Sequence, residues 1–305
     1  MAMNSQKNRS NLGASVRARL LTLARKNNRD HNALLVQYAQ ERFLYRLSLS
    51  PHRDNFILRG ALLFISYNLP LNRPTKNIDF LAQGINQDLG SLKKVFLSIA
   101  GIHVEDGIEF PSTSITVENI KDDIEYSGVR VRLKGTIGGA ACSLQVDIGF
   151  KDIIVPGPIS ADFPTLLDFP VPNLKVYSLE SVVAEKFELI VKFNSLSSRA
   201  KDFYDINFLA SVQPFAMANL KEAMVTTFKQ RGTDIDSRKA IFKKSFRNDE
   251  QMNTFWTTFL KRNSLDLSIS FSQVVKNLEN FIEPIFEDNT QQMMWQPDTQ
   301  KWVLK

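Results

Sequence analysis

Apolar positions Leu20, Leu23, Ala24, Leu34, Leu35, Tyr38, Phe43, Leu44 and Leu47 recur near helical spacing over residues 12–48. The polar break "RKNNRDHN" divides them, and Asn28 and Asp30 within it are good turn and N-cap residues, so the pattern predicts two helices. His31, in the same break, is expected to cap a helix or lie on the surface. "SLSPHRDN" reads as a loop, and "FILRGALLFISYNL" as a further helix with Gly60 near its start. "TKNIDFLA" has the β-branched and aromatic content of a short buried strand, and "NQDLGSLKKVFLSIAG" is amphipathic at helical spacing.

Strand-like runs follow in "IHVEDGIEF", "SITVENI", "YSGVRVRLKGTI" and "ACSLQVDIGF". Gly138-Gly139 between the last two is a strong hairpin signal. Alternation of Val129, Val131 and Leu133 with Arg130, Arg132 and Lys134 predicts one apolar and one basic face. "VPGPISADFPTLLDFPVPN" is proline-rich and reads as an irregular connector. From Leu174 onward the pattern is mostly helical, in "SLESVVAEKFELIVKFN", "KDFYDINFLASV", "FAMANLKEAMVTTFKQRG", "DEQMNTFWTTFLKR" and "SFSQVVKNLENFIEPIFEDN". Phe242, Phe246, Trp256, Phe259, Phe271, Phe281 and Phe286 are expected mostly in the helical core, a subset being able to stack on bases. The polar tail "QQMMWQPDTQKWVLK" is expected to pack on the body or on a partner. The class is therefore α+β: a small mixed β-sheet flanked by helices, with a helical C-terminal region. The expected division is residues 1–172 and 173–305.

Composition narrows the class. With 43% hydrophobic and 23% charged residues over 305 positions, the chain can bury an ordinary globular core. No apolar run is long enough to span a membrane, and the first residues lack the apolar stretch of a secretory signal, so a cytoplasmic protein is expected. The single cysteine, Cys142, excludes an internal disulfide and is expected as a core thiol. One cysteine and three dispersed histidines do not supply an ordinary zinc site. A net charge of +6 makes polyanions plausible partners, with basic residues concentrated in "SVRARLLTLARKNNR", "SSRAKDF" and "DSRKAIFKKSFR".

Two acids stand among apolar neighbours at strand positions, Asp79 in "NIDF" and Asp147 in "QVDIGF". A carboxylate there costs desolvation energy unless something compensates it. Backbone donors or an Arg or Lys partner would do so, and so would a divalent cation shared by the two acids. Hard cations take oxygen ligands, and phosphoryl and nucleotidyl transfer need Mg²⁺, or Mn²⁺ in its place, to neutralise triphosphate oxygens.

The order "LRGALL", "RPTKNIDF", "QVDIGF", "YSLESVVAEKFELIVKF" and "RAKDFYDI" resembles the AbiEii/AbiGii-type nucleotidyltransferase toxins over about residues 40 to 210. Those toxins belong to the DNA polymerase-β-like nucleotidyltransferase superfamily and form the toxin half of bacterial type IV toxin–antitoxin pairs, with links to phage defence. The resemblance implies a nucleotidyltransferase core around the sheet, an NTP substrate, Mg²⁺ and an RNA acceptor at the tRNA acceptor end. It also implies a cognate antitoxin and no membrane partner.

Residue by residue, it implies that Gly60 and Ala61 take the place of the Gly-Gly or Gly-Ser pair that meets the triphosphate, without its hydroxyl or second flexible glycine. Asn77 stands where the first acid of a DxD pair belongs, Asp79 at the second and Asp147 at the third, so these three would hold metal. Lys186 would neutralise triphosphate charge, Asp202 and Asp205 would border the nucleotide pocket with Asp202 needed for activity, and Arg73 and Thr75 would orient the loop before the strand. Arg199 and Lys201 would contact phosphate or RNA, or lie on the surface, and Glu188 is expected on the outer surface.

Asn77 leaves three readings open: an enzyme working with Asp79, Asp147 and substrate phosphates; one with slow or altered chemistry; or a protein that binds nucleotide without transferring it and acts through a partner. Transfer to a small-molecule alcohol or a protein side chain is a further alternative, because the metal and phosphate machinery does not determine the acceptor.

Overall fold

The structure is a computed structural model that describes residues 2–70, 75, 77–120, 128–194, 199–266, 268–287 and 292–305, with side chains from residue 11 onward. Two compact units divide the chain: Met1–Lys151 with Ile159–Val176, and Asp152–Pro158 with Tyr177–Lys305.

The first unit begins with helices α1 (Ala2–Lys26) and α2 (His31–Leu49). Asp30 caps α2 by accepting from the Ala33 amide at 2.7 Å, satisfying a donor the helix leaves open. Strands β1 (Phe56–Arg59) and β2 (Asn77–Ala82) follow, then helix α3 (Leu89–Ala100). Strands β3 (Ile108–Glu109), β4 (Thr116–Asn119), β5 (Val129–Ile137), β6 (Ala140–Gly149), β7 (Ile159–Asp162) and β8 (Asn173–Val176) complete the unit.

These eight strands form one mixed sheet in the order β3-β5-β6-β2-β1-β8-β7, with β4 also on β5. β2 runs parallel to β6 and β1 parallel to β8, and the other pairings are antiparallel. Gly138 and Gly139 take φ of +50° and +82° in the β5–β6 turn, which fixes the hairpin register. Phe96 stacks on Phe43 at 5.7 Å and meets Phe56 of β1 edge-on, Phe56 in turn meets Phe80 of β2 edge-on at 5.5 Å, and Cys142 is buried in the sheet as expected.

Two segments differ from the sequence pattern. "FILRGALLFISYNL" is strand β1, a turn at Gly60 (φ +71°) and a 3-10 helix Leu62–Tyr67 rather than one α-helix. Its first four residues pair with β2 across a buried sheet, and sheet pairing overrides their helical spacing. The proline-rich connector contributes β7 and β8, with prolines at the flanks of the strands, where no ladder hydrogen bond is lost.

α2 carries charge into the interior. Arg46 donates to the Asp106 carboxylate at 2.7 and 3.1 Å and to the carbonyls of Ile102, Ile108 and Arg42. Arg42 donates to the Pro170 carbonyl at 2.7 Å and lies over the Tyr45 ring. Glu41 accepts from the Leu166 amide at 2.7 Å. These bonds tie α2 to the segments around 102–108 and 166–170 and leave the helix no solvated face over Glu41–Phe43.

The second unit is mainly helical: α4 (Leu179–Phe193), α5 (Ala200–Val212), α6 (Met217–Arg231), α7 (Lys244–Arg247), α8 (Glu250–Arg262) and α9 (Phe271–Ile282). The polar tail forms a hairpin, β10 (Met293–Gln296) with β11 (Lys301–Leu304), and β10 pairs with β9 (Phe215–Ala216). Trp295 is buried there, and its indole N–H donates to the Ala210 carbonyl at 2.6 Å. Of the aromatic residues expected in this core, Phe242, Phe246, Trp256, Phe271 and Phe281 are buried, while Phe259 and Phe286 are half-buried. Among the described residues no helix is long and apolar enough to cross a membrane.

Burial pushes Glu41 up to about 7 against the opposing pull of Arg42 and the Leu166 amide, from an ordinary 4.5. The folded chain thus holds a proton that the unfolded chain releases, so this group's contribution falls as pH rises from 4.5 through 7. The change amounts to about 3 kcal/mol. Glu41→Gln keeps an acceptor for Leu166 and should flatten denaturant-measured stability across that window. An unchanged slope would contradict the assignment.

Candidate active site

The strand register brings the acids together. Asp79 on β2 pairs with Asp147 on β6, and residues in register on parallel strands present side chains to the same face of the sheet. The same row continues outward to Arg59 on β1, opposite Asp79, and to Arg130 on β5, opposite Asp147. The order across four strands is Arg59, Asp79, Asp147, Arg130: two central carboxylates flanked by two guanidiniums. The opposite face of β2 presents Ile78 and Phe80, both fully buried. The period-2 alternation thus separates this charged row from the core.

Asp147 is held by several donors. Arg130 donates from Nε to Oδ1 at 2.8 Å and from its terminal nitrogen to Oδ2 at 3.1 Å, a two-pronged ion pair with both side chains about one-fifth exposed. The Gln145 amide donates to both carboxylate oxygens at 3.1–3.2 Å, and the Asn77 amide donates to Oδ2 at 3.2 Å. Asn77, expected from the resemblance in place of an acid, therefore hydrogen-bonds Asp147. Thr75 donates to the Asn77 carbonyl at 3.4 Å, and Gln40 on α2 donates to the Thr75 carbonyl at 3.5 Å, anchoring the entry to β2.

Gly60 has a structural reason of its own. At φ +71° it turns the chain out of β1, and an added Cβ would lie 2.2 Å from Asp79 Oδ2. Ala61 follows, buried and in right-handed helical conformation, at the start of the 3-10 turn. Gly149 is crowded likewise, since a Cβ there would meet the Arg59 guanidinium at 2.5 Å. Arg73 lies outside the described residues.

The second unit gathers another set of the expected residues. Ser178 caps α4 by accepting from the Ser181 amide at 3.3 Å, and the hydroxyls of Ser178 and Ser181 both donate to the Val155 carbonyl. α4 carries Lys186, whose ammonium lies 3.0 Å from Asp202 Oδ1 and 2.8 Å from Asp205 Oδ2. Those acids are one turn apart on α5 and only 2% exposed. Arg199 reaches Asp202 at 3.8 Å and lies over the Phe193 ring at 4.3 Å.

Glu188 is not on the outer surface. It is fully buried, accepting from Arg231 at 3.0 Å and from the Thr233 hydroxyl at 2.5 Å. Arg231 also meets Asp152 at 2.8 Å and Glu185 at 3.2 Å. Helical spacing alone could not reveal this, because the cation comes from the end of another helix.

Asp79, Asp147 and the Asn77 side-chain amide supply hard oxygen atoms suited to a divalent cation that takes its remaining ligands from phosphates and water. Among the described residues no three His, Cys, Asp or Glu side chains gather in metal-holding geometry. A metal here would therefore depend on substrate oxygens. The polar residues that sequence reading did not assign to this site are Arg59, Arg130 and Gln145.

The family model "Nucleotidyl transferase AbiEii toxin, Type IV TA system" matches residues 42–277. The chain belongs to the AbiEii toxin family. No curated protein matches. Two solved structures are similar, JHP933 from Helicobacter pylori and a candidate nucleotidyltransferase from H. pylori. Each is 15% identical with a TM-score of 0.48, covering 84% of this chain and 92% and 95% of the respective neighbour. The AbiEii match spans both acids of the β-sheet row and the Lys186–Asp202–Asp205 cluster.

Gly60→Ala should destabilise the protein by about 1–2 kcal/mol from the left-handed backbone alone. The approach to Asp79 adds to this cost, and denaturant unfolding measures the sum. Stability equal to wild type would show that the turn and carboxylate do not constrain each other.

Proposed function

We propose that this chain transfers a nucleoside monophosphate from an NTP to an acceptor hydroxyl of RNA, at the tRNA acceptor end, releasing pyrophosphate. The observation that carries the reading is the in-register pair Asp79 and Asp147 on neighbouring parallel strands, in a chain of the AbiEii family. The acceptor oxygen forms a bond to the α-phosphorus while the α-phosphorus–oxygen bond to the β-phosphate breaks. Pyrophosphate leaves with that electron pair, and the hydroxyl proton passes to solvent by way of Asp147.

Mg²⁺, or Mn²⁺ in its place, held by Asp79 and Asp147 with the Asn77 amide oxygen, would neutralise triphosphate oxygens and make the acceptor hydroxyl more acidic. Arg59 and Arg130 bring further positive charge to the same row. Gly60 borders Asp79, and the backbone of Gly60 and Ala61 would meet the phosphates, with Thr75 holding the start of β2. Arg73 has the same proposed role in orienting that loop. Lys186, braced by Asp202 and Asp205, carries positive charge that offsets the triphosphate during transfer. An RNA acceptor suits the net charge of +6 and the exposed Arg132 and Lys134 on β5. A cognate antitoxin as partner and a cytoplasmic place of action follow from the same reading.

A second reading has one observation in its favour: Asn77 donates to Asp147 instead of adding a charge for metal. On that reading the chain binds nucleotide without turnover and acts through its partner. Incubating the protein with each α-labelled NTP, Mg²⁺ or Mn²⁺ and total RNA separates the two. Labelled RNA is expected from wild type, with a loss of about a hundredfold or more in Asp79→Ala, Asp147→Ala and Lys186→Ala. Variants that label RNA as well as wild type would refute the site, and tight nucleotide binding with no product would favour the second reading.

A further inference from the structure

We infer that Arg130 is a built-in cation that competes with divalent metal for Asp147, so that metal enters only when an incoming polyanion draws the guanidinium away. The inference deepens the nucleotidyl-transfer reading and rests on it for the identity of that polyanion, a nucleoside triphosphate.

An ionised carboxylate offers about four acceptor positions. Arg130 engages one oxygen through Nε and the other through a terminal nitrogen, and the amides of Gln145 and Asn77 donate to the same two oxygens. A hard cation binds through the same lone pairs, so guanidinium and metal exclude one another at this carboxylate. The two-pronged arrangement is the strong form of an Arg–carboxylate contact.

Its placement is dictated by backbone register. The tight turn at Gly138-Gly139 sets Arg130 directly across from Asp147, so the competing charge is delivered by the hairpin that builds the sheet. Asn77 acts in the same direction. An acid at residue 77, next to Asp147, would add negative charge and increase the demand for a cation, whereas the amide donates a hydrogen bond and leaves the row balanced. Two basic and two acidic side chains across β1, β2, β6 and β5 already cancel.

A triphosphate offers several anionic oxygens in the geometry that a guanidinium fork prefers. Once Arg130 turns to them, Asp147 is released for metal. Nucleotide and metal then raise each other's affinity by the same factor. Arg130 is thus a positioning residue: it acts on chemistry through the state of Asp147.

The test is Mn²⁺ titration of the full chain without nucleotide, with free Mn²⁺ followed by electron paramagnetic resonance. Arg130→Gln should bind Mn²⁺ roughly tenfold or more tightly than wild type, the scale on which neighbours of metal ligands act. That gain should disappear in Arg130→Gln/Asp147→Asn. Arg130→Met, which keeps an unbranched apolar stem, repeats the measurement should the glutamine disturb the sheet. A variant that merely loosened the fold would lose metal affinity, so a gain is diagnostic. Mn²⁺ affinity in both variants equal to or below wild type would overturn the inference, as would a gain that survives loss of the Asp147 charge. Because no nucleotide is present, this outcome is independent of whether RNA becomes labelled.

Discussion

The parallel pairing of β2 with β6 is the constraint on which the first unit's charged row depends. It places Asp79 beside Asp147 at the spacing of neighbouring strands, about 4.8 Å, where two carboxylates repel each other. The surrounding residues answer that repulsion. Arg59 and Arg130 bracket the pair from the outer strands, and the Gln145 and Asn77 amides add donors. At Gly60 the Asp79 carboxylate occupies the space a Cβ would take, and the Arg59 guanidinium lies against Gly149. The row is therefore one packed electrostatic unit.

The second unit applies similar physics with another geometry. One lysine serves two nearly buried acids on α5, and one arginine serves Asp152, Glu185 and Glu188. Removing one partner of a buried ion pair leaves an uncompensated charge at a cost of about 3–5 kcal/mol. These residues are thus constrained by the fold as well as by any chemistry. Loss of activity in a Lys186 variant therefore needs a stability measurement beside it. The β-sheet acids carry less of this ambiguity, since Asp147 and its guanidinium partner are each about one-fifth exposed.

Much of this was legible in the chain, for identifiable reasons. β5 and β6 announce themselves by alternation and a Gly-Gly turn, and that turn alone fixes Arg130 opposite Asp147. The acids stood out because charge among apolar strand residues demands compensation. Gly60 also stood out, although its place is a strand-end turn. "FILRGALLFISYNL" hid β1, because a short run of continuous apolar residues fits a buried strand and a helix equally well. The β7 and β8 strands were masked by prolines that flank them without interrupting their ladders. Glu188 was hidden because its partner Arg231 is distant in sequence. The tail hairpin was hidden because a β-strand of four residues leaves little periodicity to read. Local pattern reaches register across one tight turn, whereas partners brought together by tertiary packing lie beyond it.

If the Asp79–Asp147 row serves nucleotidyl transfer, the α- and γ-phosphates of the NTP must part company. Purified protein would be incubated with total RNA and an NTP labelled either at the α-phosphate or at the γ-phosphate. Nucleotidyl transfer puts α-label into RNA while γ-label appears only in pyrophosphate, in equal amounts. Entry of γ-label into the acceptor, or nucleotide bound with neither label moving, would contradict it.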